Sequence, residues 1–349
     1  MSIKQIAEMT GLSMTTVSHA INGTRTVSRR SLALVQEAIE KTNYRPNLAA
    51  QMMKTHRSKT VTIIIPETEP NNSTNCFYFD VLNGAKSCLE GKGYELIVST
   101  YPEYDVGKLM KTSVLQHKWI DGILLVPASD RLEDVEPIRA IGLPLVLVDR
   151  WVQGCDLPQV TSNNREVSAE AVRLLYQSGG RRIAFIGSQM HNSTALDRFQ
   201  GYCDAMDELG LKKDESLIFR MPGHSLDYGY EAASSLLERG ADAIFAANST
   251  LCLGAMKRLN EKRVSIPKDV SIIGFDDYAW TEVTNPPLTA VTQDANSMGR
   301  RASELLLRLI AGEALDNSRI SIPAKLTIRQ SHGPRGETPS GNTAKATDF

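Results

Sequence analysis

Apolar positions at the start of the chain recur at helical spacing and then break. Ile3, Ile6 and Ala7 share one helical face, and small Ala7 admits a second helix at close range. Gly11 suits the positive φ that ends such a helix, Leu12 plugs the turn, and Ser13 is placed to cap the next helix. Val17, Ala20 and Ile21 face back toward the first helix, which leaves Met14, Thr15, Ser18, His19 and Asn22 pointing outward. A short polar helix projected by a tight turn is what a DNA major groove accepts, so this stretch predicts a helix-turn-helix. Ser28 caps a third helix whose Leu32, Val35, Ala38 and Ile39 close a three-helix core. Arg29 and Arg30 fall in its first turn, where the helix dipole disfavours cations unless an anion lies near. A DNA phosphate would supply that anion; the alternative is two solvated arginines. Asn47 can cap a further stretch, Leu48–Lys54, which at two turns is marginal alone and needs a partner or DNA to order.

From Val61 the pattern changes to short apolar runs alternating with amphipathic ones. Strands are predicted at Val61–Pro66, Tyr94–Ser99, Ile120–Val126 and Leu145–Asp149, and again at Ile183–Gly187, Ser216–Phe219, Ala243–Ala247 and Val270–Phe275. Helices are predicted at Phe79–Gly91, Val167–Gln177, Phe199–Leu209, Tyr228–Arg239, Leu251–Lys262 and Gly299–Ala311, with strands around Ile320 and Ile328. Such alternation argues for parallel sheets covered on both faces. The fold expected is an all-α helix-turn-helix head followed by an α/β core of two doubly wound parallel-sheet lobes. Ligands would bind between the lobes, outside the carboxyl ends of the strands. Residues 333–349, rich in Gly, Pro, Thr and Ser, read as a disordered tail with no heptad of apolar positions.

Charge sharpens this division. Residues 1–60 hold nine Lys/Arg against three Glu, a net of +6; with −1 for the whole chain, the remainder carries −7. A basic head on an acidic body is the electrostatic footprint of a DNA binder. The five cysteines are scattered, with no C-x-x-C pair, so neither a disulfide framework nor a zinc site is indicated and a reducing cytoplasm fits. The N-terminus lacks the apolar core of a signal peptide and no apolar run reaches membrane-spanning length. The expected location is cytoplasmic.

Enzymatic motifs are absent: no G-x-G-x-x-G after a strand, no P-loop, no H-E-x-x-H. Gly223–Asp227 begins like a nucleophile elbow but lacks its second glycine. An enzyme, a metal site and a cofactor are therefore not expected. A transport-type solute-binding protein would share the core architecture, but the basic head argues against it.

With these residues in view, the chain resembles the lactose-repressor/galactose-repressor family of bacterial transcription regulators. The resemblance runs over roughly residues 2–332. It rests on Ile6-Ala7, Gly11-Leu12-Ser13 and Thr16-Val17-Ser18 in the head and on Asn43-Tyr44-Arg45-Pro46-Asn47 after it. In the core it rests on Asp121-Gly122-Ile123, on Pro144 through Arg150, on Arg181–Gly187, on Gly201-Tyr202, on Ile266–Asp277 and on Pro286–Thr289. It implies a DNA-binding domain over 1–58 with a hinge helix at about 47–54, and a periplasmic-binding-protein-like effector and dimerisation domain over 59–332. It also implies a homodimer reading a palindromic operator in double-stranded DNA, with no membrane partner, under the control of a small effector, often a sugar.

Residue by residue, the resemblance implies base or phosphate contact for Met14, Thr15, Thr16 and His19, and backbone positioning for Asn22, Tyr44 and Arg45; Arg29 stays a phosphate candidate on dipole grounds. Thr15 and Thr16 could instead merely cap and solvate the helix. At the position from which the family wedges a Leu into the minor groove this chain has Met53, an apolar but more flexible side chain. In the cleft, Arg198 on a loop entering a helix and Asp276 after a strand match pocket positions and could grip polyol hydroxyls from two sides. The alternative is that each is a structural ion-pair partner. Phe77 and Tyr78 match pocket-wall positions, with core packing as the alternative. Arg150, Asn192 and His224 are further effector-binding candidates, and Trp151 and Trp280 could stack on a ring or pack. Asn163-Asn164 and Asn248-Ser249 stand where the family often carries an Asp. Losing those carboxylates favours an effector with negative charge, a sugar acid or sugar phosphate, over a neutral sugar.

Overall fold

The computed structural model describes residues 2–22, 25–42, 44, 57–67, 74–102, 105–116, 119–189, 192–315 and 318–333. The hinge-helix stretch with Arg45 and Met53, and the tail from 334, lie outside the described residues. The chain divides into two compact units, Met1–Ser58 and Lys59–Phe349.

The head is three helices, α1 (Ile3–Thr10), α2 (Met14–Asn22) and α3 (Arg29–Thr42). Each start has a serine cap. Ser2 and Gln5 form a reciprocal capping box, Ser13 Oγ accepts from the Thr16 amide (3.1 Å), and Ser28 Oγ accepts from the Ser31 amide (3.1 Å). Gly11 leaves α1 at φ +67°, which an L-residue adopts only under strain. Ile6, Ala7, Val17, Val35, Ala38 and Tyr44 are buried together, with Ile3, Leu12, Ala20, Ile21 and Ile39 packed around them. Leu32 departs from expectation: it is 37% exposed. With eight and nine residues, α1 and α2 are too short to cover all fourteen residues of α3, so the buried stripe begins at Val35.

The second unit contains two six-stranded sheets. Sheet 1 is ordered β11-β5-β4-β3-β1-β2, from β1 (Thr60–Pro66), β2 (Glu95–Tyr101), β3 (Gly122–Leu125), β4 (Leu145–Asp149), β5 (Gln159–Ser162) and β11 (Arg319–Ile322). Sheet 2 is ordered β12-β10-β9-β8-β6-β7, from β6 (Ile183–Ser188), β7 (Ile218–Met221), β8 (Ala243–Ala246), β9 (Ser271–Phe275), β10 (Thr289–Thr292) and β12 (Lys325–Thr327). The two orders are the same once β1 is matched with β6, which makes β4 and β9 equivalent. All pairings are parallel except β10 with β12.

Helix α4 (Thr74–Glu90) belongs to lobe 1, and α5 (Asn164–Gln177), α6 (Ser193–Glu208), α7 (Leu226–Glu238) and α8 (Ser249–Glu261) to lobe 2. The last helix, α9 (Ala295–Ile310), returns to lobe 1, where Met298, Ala302, Leu305 and Leu306 complete its core against Val81, Ala85, Val146 and Val160. The chain therefore crosses between lobes three times: after Ser162, after Thr292 and after Ile322. Helices α4 and α9 meet backbone to backbone: a Cβ on Gly299 would stand 1.9 Å from the Val81 carbonyl oxygen, and one on Gly84 1.9 Å from that of Asn296.

Strands β5 and β10, four residues each, were not foreseen, and β7 begins two residues later than its apolar run suggested. Asp214 explains the latter: its carboxylate accepts from the Ser216 amide and hydroxyl, turning 215–217 into a single 3₁₀ turn.

Next to the cleft, Asp277 fixes the end of the chain path. Its carboxylate takes both arms of the Arg329 guanidinium, at 2.7 and 3.0 Å, and the Thr281 hydroxyl. Burial alone would raise this carboxyl; the hydrogen bonds from Arg329 and Thr281 outweigh it and hold it below its ordinary value. Its stabilisation is present above the unfolded carboxylate value and is lost as pH falls through the depressed folded one. Asp277→Asn is expected to lower stability by about 2 kcal/mol at pH 7, shrinking toward zero in acid. Urea denaturation at both pH values checks this, and equal losses would exclude the ionic contribution.

Candidate ligand cleft and nucleic-acid interface

The carboxyl ends of the strands and the helix starts that follow them converge between the lobes. Lobe 1 supplies Phe77 and Tyr78 from α4, and Asp149 and Arg150 from the end of β4. Lobe 2 supplies Asn192, Thr194 and Arg198 from the start of α6, His224 before α7, Asn248 before α8, and Asp276 after β9; Gln293 lies on the second crossing. These eleven residues enclose a cavity of about 40 Å³. All seven effector candidates singled out in the sequence are thereby brought together; Asp149, Thr194, Asn248 and Gln293 were not among them.

Arg198 sits in the second turn of α6, not on a loop, because Asn192 caps the helix earlier, accepting from the Ala195 amide at 3.0 Å. The guanidinium is held on several sides. Nε donates to Asn164 Oδ1 (2.9 Å), NH1 donates to the Ala247 carbonyl (3.0 Å), and the group lies 3.6 Å from the Phe275 ring centroid. Asp276, buried, turns out of β9 at φ +67°, and Gln293 Nε2 donates to its Oδ1 at 2.7 Å. Burial pushes this carboxyl up, opposed by the nearby Arg198 and by Gln293. The amide oxygen of Gln293 is buried with no hydrogen-bond partner among the described residues, so it can accept from a ligand hydroxyl. Asp149, the equivalent of Asp276 in lobe 1, has φ +69°. Strained left-handed aspartates thus end matching strands on both sides of the cleft.

The charges in the cavity balance. Arg150 Nε lies 3.7 Å from Asp149 Oδ2, both buried, and NH1 donates to the Pro127 carbonyl at 2.9 Å. Two guanidiniums, Arg150 and Arg198, thus share the cavity with two carboxyl groups, Asp149 and Asp276. Asn163 is not part of it: its Oδ1 accepts from the Ala324 amide (2.7 Å) and ties the first crossing to the third. Asn248 caps α8 through the Thr250 and Leu251 amides. Trp151 joins the lobes, its amide donating to Ser193 Oγ (2.8 Å) and its indole N–H to Asp197 Oδ2 (2.7 Å). Trp280 packs against the apolar core of lobe 2.

On the head, Met14 is 57% exposed, Thr15 and Arg29 are exposed, and His19 is half-buried. Thr16 is half-buried, and its hydroxyl shares a hydrogen bond with Ser13 (2.8 Å). Asn22 ends α2. Tyr44 lies in the head core, 8% exposed, so its ring packs among the three helices.

Residues 2–47 match the family model for bacterial regulatory proteins of the lacI family, and residues 172–332 match a periplasmic binding protein-like domain. The transcriptional regulator RegA of Clostridium saccharobutylicum is 32% identical over 334 residues, covering 95% of this chain and 98% of RegA. The chain belongs to the LacI family.

Among solved structures, the complex of the transcriptional regulator CelR with cellobiose is 29% identical, with a TM-score of 0.71 over 95% of this chain and 99% of that one. The Lac repressor dimer bound to operator and the anti-inducer ONPF is 21% identical and shares the fold, with a TM-score of 0.83 over 95% of this chain and 98% of that one. As a member of the LacI family, the chain is a DNA-binding transcriptional regulator, and its relatives are regulators, not enzymes. Among the described residues no helix is long and apolar enough to cross a membrane, and no group of His, Cys, Asp and Glu could hold a metal ion.

Of the cleft residues outside those seven candidates, Asn248 is the one that the sequence already ties to pocket charge, and Asp149 had a usable signal, since it ends a predicted strand just as Asp276 does. Thr194 and Gln293 had none, since each depends on an element boundary that the sequence pattern misplaced or omitted.

Proposed function

We propose that this chain is a cytoplasmic repressor that binds a palindromic operator as a homodimer and is controlled by a neutral carbohydrate-type effector held between its lobes. The observation that carries the reading is the cleft: two buried guanidiniums balanced by two buried carboxylates, with amides and aromatic rings, converging from both lobes. Such a set offers donors and acceptors to hydroxyls without a net charge to neutralise, and Phe77 and Tyr78 offer faces to a ring. The cellobiose complex of CelR supports the carbohydrate class. The balance of charge favours a neutral sugar over the sugar acid or sugar phosphate that the Asn163-Asn164 and Asn248-Ser249 substitutions suggested. A cavity of about 40 Å³ has room for a few waters and none for a sugar ring, so entry requires the lobes to part.

The assignment of Met14, Thr15, Thr16 and His19 to base or phosphate contact rests on their place on α2, with Met53 as the minor-groove wedge. His19→Ala is expected to weaken operator binding about tenfold while leaving random-sequence DNA within about twofold. Selection of genomic fragments by the purified protein, with and without a pool of neutral sugars, tests the whole reading. An enriched palindrome whose recovery changes with the pool supports it. Recovery of no site, or a response only to anionic sugars, overturns it. Sedimentation with the recovered DNA tests the dimer.

A further inference from the structure

Tyr278 belongs to one lobe by its backbone and to the other by its ring. Its main chain follows Asp276 and Asp277 out of β9 and is fixed there. The carbonyl accepts from the Thr281 amide (2.9 Å) and hydroxyl (2.7 Å), and Arg329 holds the preceding Asp277. The ring packs instead against the core of lobe 1, which contains Phe77, Tyr78, Val81 and Met298.

At the tip of that ring the phenol oxygen is buried, with no hydrogen-bond partner among the described residues. Groups of both lobes lie within electrostatic reach of it: Asp276 and Arg198 of the cleft, and Cys76 and Asp80 in the first two turns of α4. Burial, reinforced by Asp276, pushes the hydroxyl's pKa up, so it stays protonated and remains a donor. An unpaired buried donor is costly, and a phenylalanine would fill the same apolar seat without it. The hydroxyl is therefore suited to a partner that enters with a ligand.

Its surroundings indicate the chemistry of that partner. Tyr278 is not part of the lining of the 40 Å³ cavity, but it sits at the seam along which the lobes must part to admit a sugar ring. Asp276 links it to a second unpaired group, since Gln293 donates to Asp276 at 2.7 Å and keeps its own amide oxygen free of partners. A donor and an acceptor near one carboxyl match a sugar hydroxyl, which accepts from the first and donates to the second.

We propose that Tyr278 is a specificity-determining residue of the interlobe site, its hydroxyl donating to one hydroxyl oxygen of the neutral sugar effector once the lobes part around it. This rests on the effector reading above. A sugar lacking that hydroxyl leaves the buried donor unpaired, so the site selects against it.

Calorimetry on the full chain with D-glucose, D-galactose, D-ribose and cellobiose, and with monodeoxy forms of whichever binds, tests this. A sugar that binds the wild type is expected to bind Tyr278→Phe about tenfold more weakly. The monodeoxy form lacking the contacted hydroxyl should bind both proteins alike. Undiminished affinity in Tyr278→Phe overturns the proposal and leaves the effector reading standing. Urea denaturation without sugar separates binding from fold. The midpoint of Tyr278→Phe should equal or exceed that of the wild type, because the variant removes an unpaired polar group. A lower midpoint would show that the hydroxyl serves the fold, which also overturns the proposal. If none of the four sugars binds the wild type, the proposal falls together with the reading it rests on.

Discussion

Arg198→Gln is expected to lower effector affinity by at least about 100-fold, some 3 kcal/mol, and to leave the regulator unresponsive on DNA. The guanidinium is the centre of a connected set: Asn164 and the Ala247 carbonyl accept from it, Phe275 lies against it, and Asp276 is close enough to feel its charge. Glutamine can keep one of those hydrogen bonds and none of the charge. The folded chain should lose about 2–3 kcal/mol as well, since buried acceptors are left unsatisfied. That loss has a definite pH dependence. Asp276 already has its folded pKa raised by burial, so the folded state holds a proton that the unfolded state has released, and stability falls as pH rises through that window. Removing Arg198 widens the window, so the variant's deficit should grow from acid toward neutral pH. Calorimetry with the effector and urea denaturation across pH check the two parts. Wild-type effector affinity in the variant would assign Arg198 a structural role alone.

Gly299→Val is expected to destabilise the second unit by about 4 kcal/mol or more, and Gly299→Ala by about 2. The sign is diagnostic, because two effects oppose each other. Within a helix, Gly→Ala ordinarily stabilises by about 1 kcal/mol through backbone entropy and helix propensity. Here the new Cβ would meet the Val81 carbonyl oxygen at 1.9 Å and the Ala85 amide nitrogen at 2.9 Å. Neither is a flexible side-chain end, so α9 must move off α4, which loosens Met298, Ala302, Leu305 and Leu306 in their core. Overpacking should win over propensity. Circular dichroism during urea denaturation reads the result, and a stabilised Gly299→Ala would show the two helices are free to part.

Most of the architecture was legible because it rests on periodicity and local capping. Ser13, Ser28 and Gly11 act where the sequence placed them, since a cap is a contact within a few residues. The strands that form the centre of each sheet are continuous apolar runs such as Leu145–Asp149 and are hard to misread. Strand β10, by contrast, reads Thr-Ala-Val-Thr, too short and polar to show a period. Helix starts lie earlier than the sequence pattern suggests for one reason: α4 and α6 open with polar or mixed turns, so apolar periodicity begins only after them. That is why Arg198 was read as a loop residue. Leu32 falls outside the core it was expected to close because burial depends on how far a neighbouring helix reaches, which no spacing along the chain reports.

The three crossings between the lobes bear on how such a protein can be rebuilt by recombination. Lobe 1 is encoded in two pieces, β1 through β5 and then α9 with β11, so no single continuous segment carries it. A chimera joined once, near residue 163, would set α9 of one parent against α4 of another and demand that their glycine seam match. Grafting lobe 1 with its half of the cleft therefore takes junctions at all three crossings. Lobe 2 moves more simply, since 163–292 brings all its helices and every strand but β12. Specificity in this architecture is easier to exchange from the lobe that holds Arg198 and Asp276 than from the one that holds Arg150.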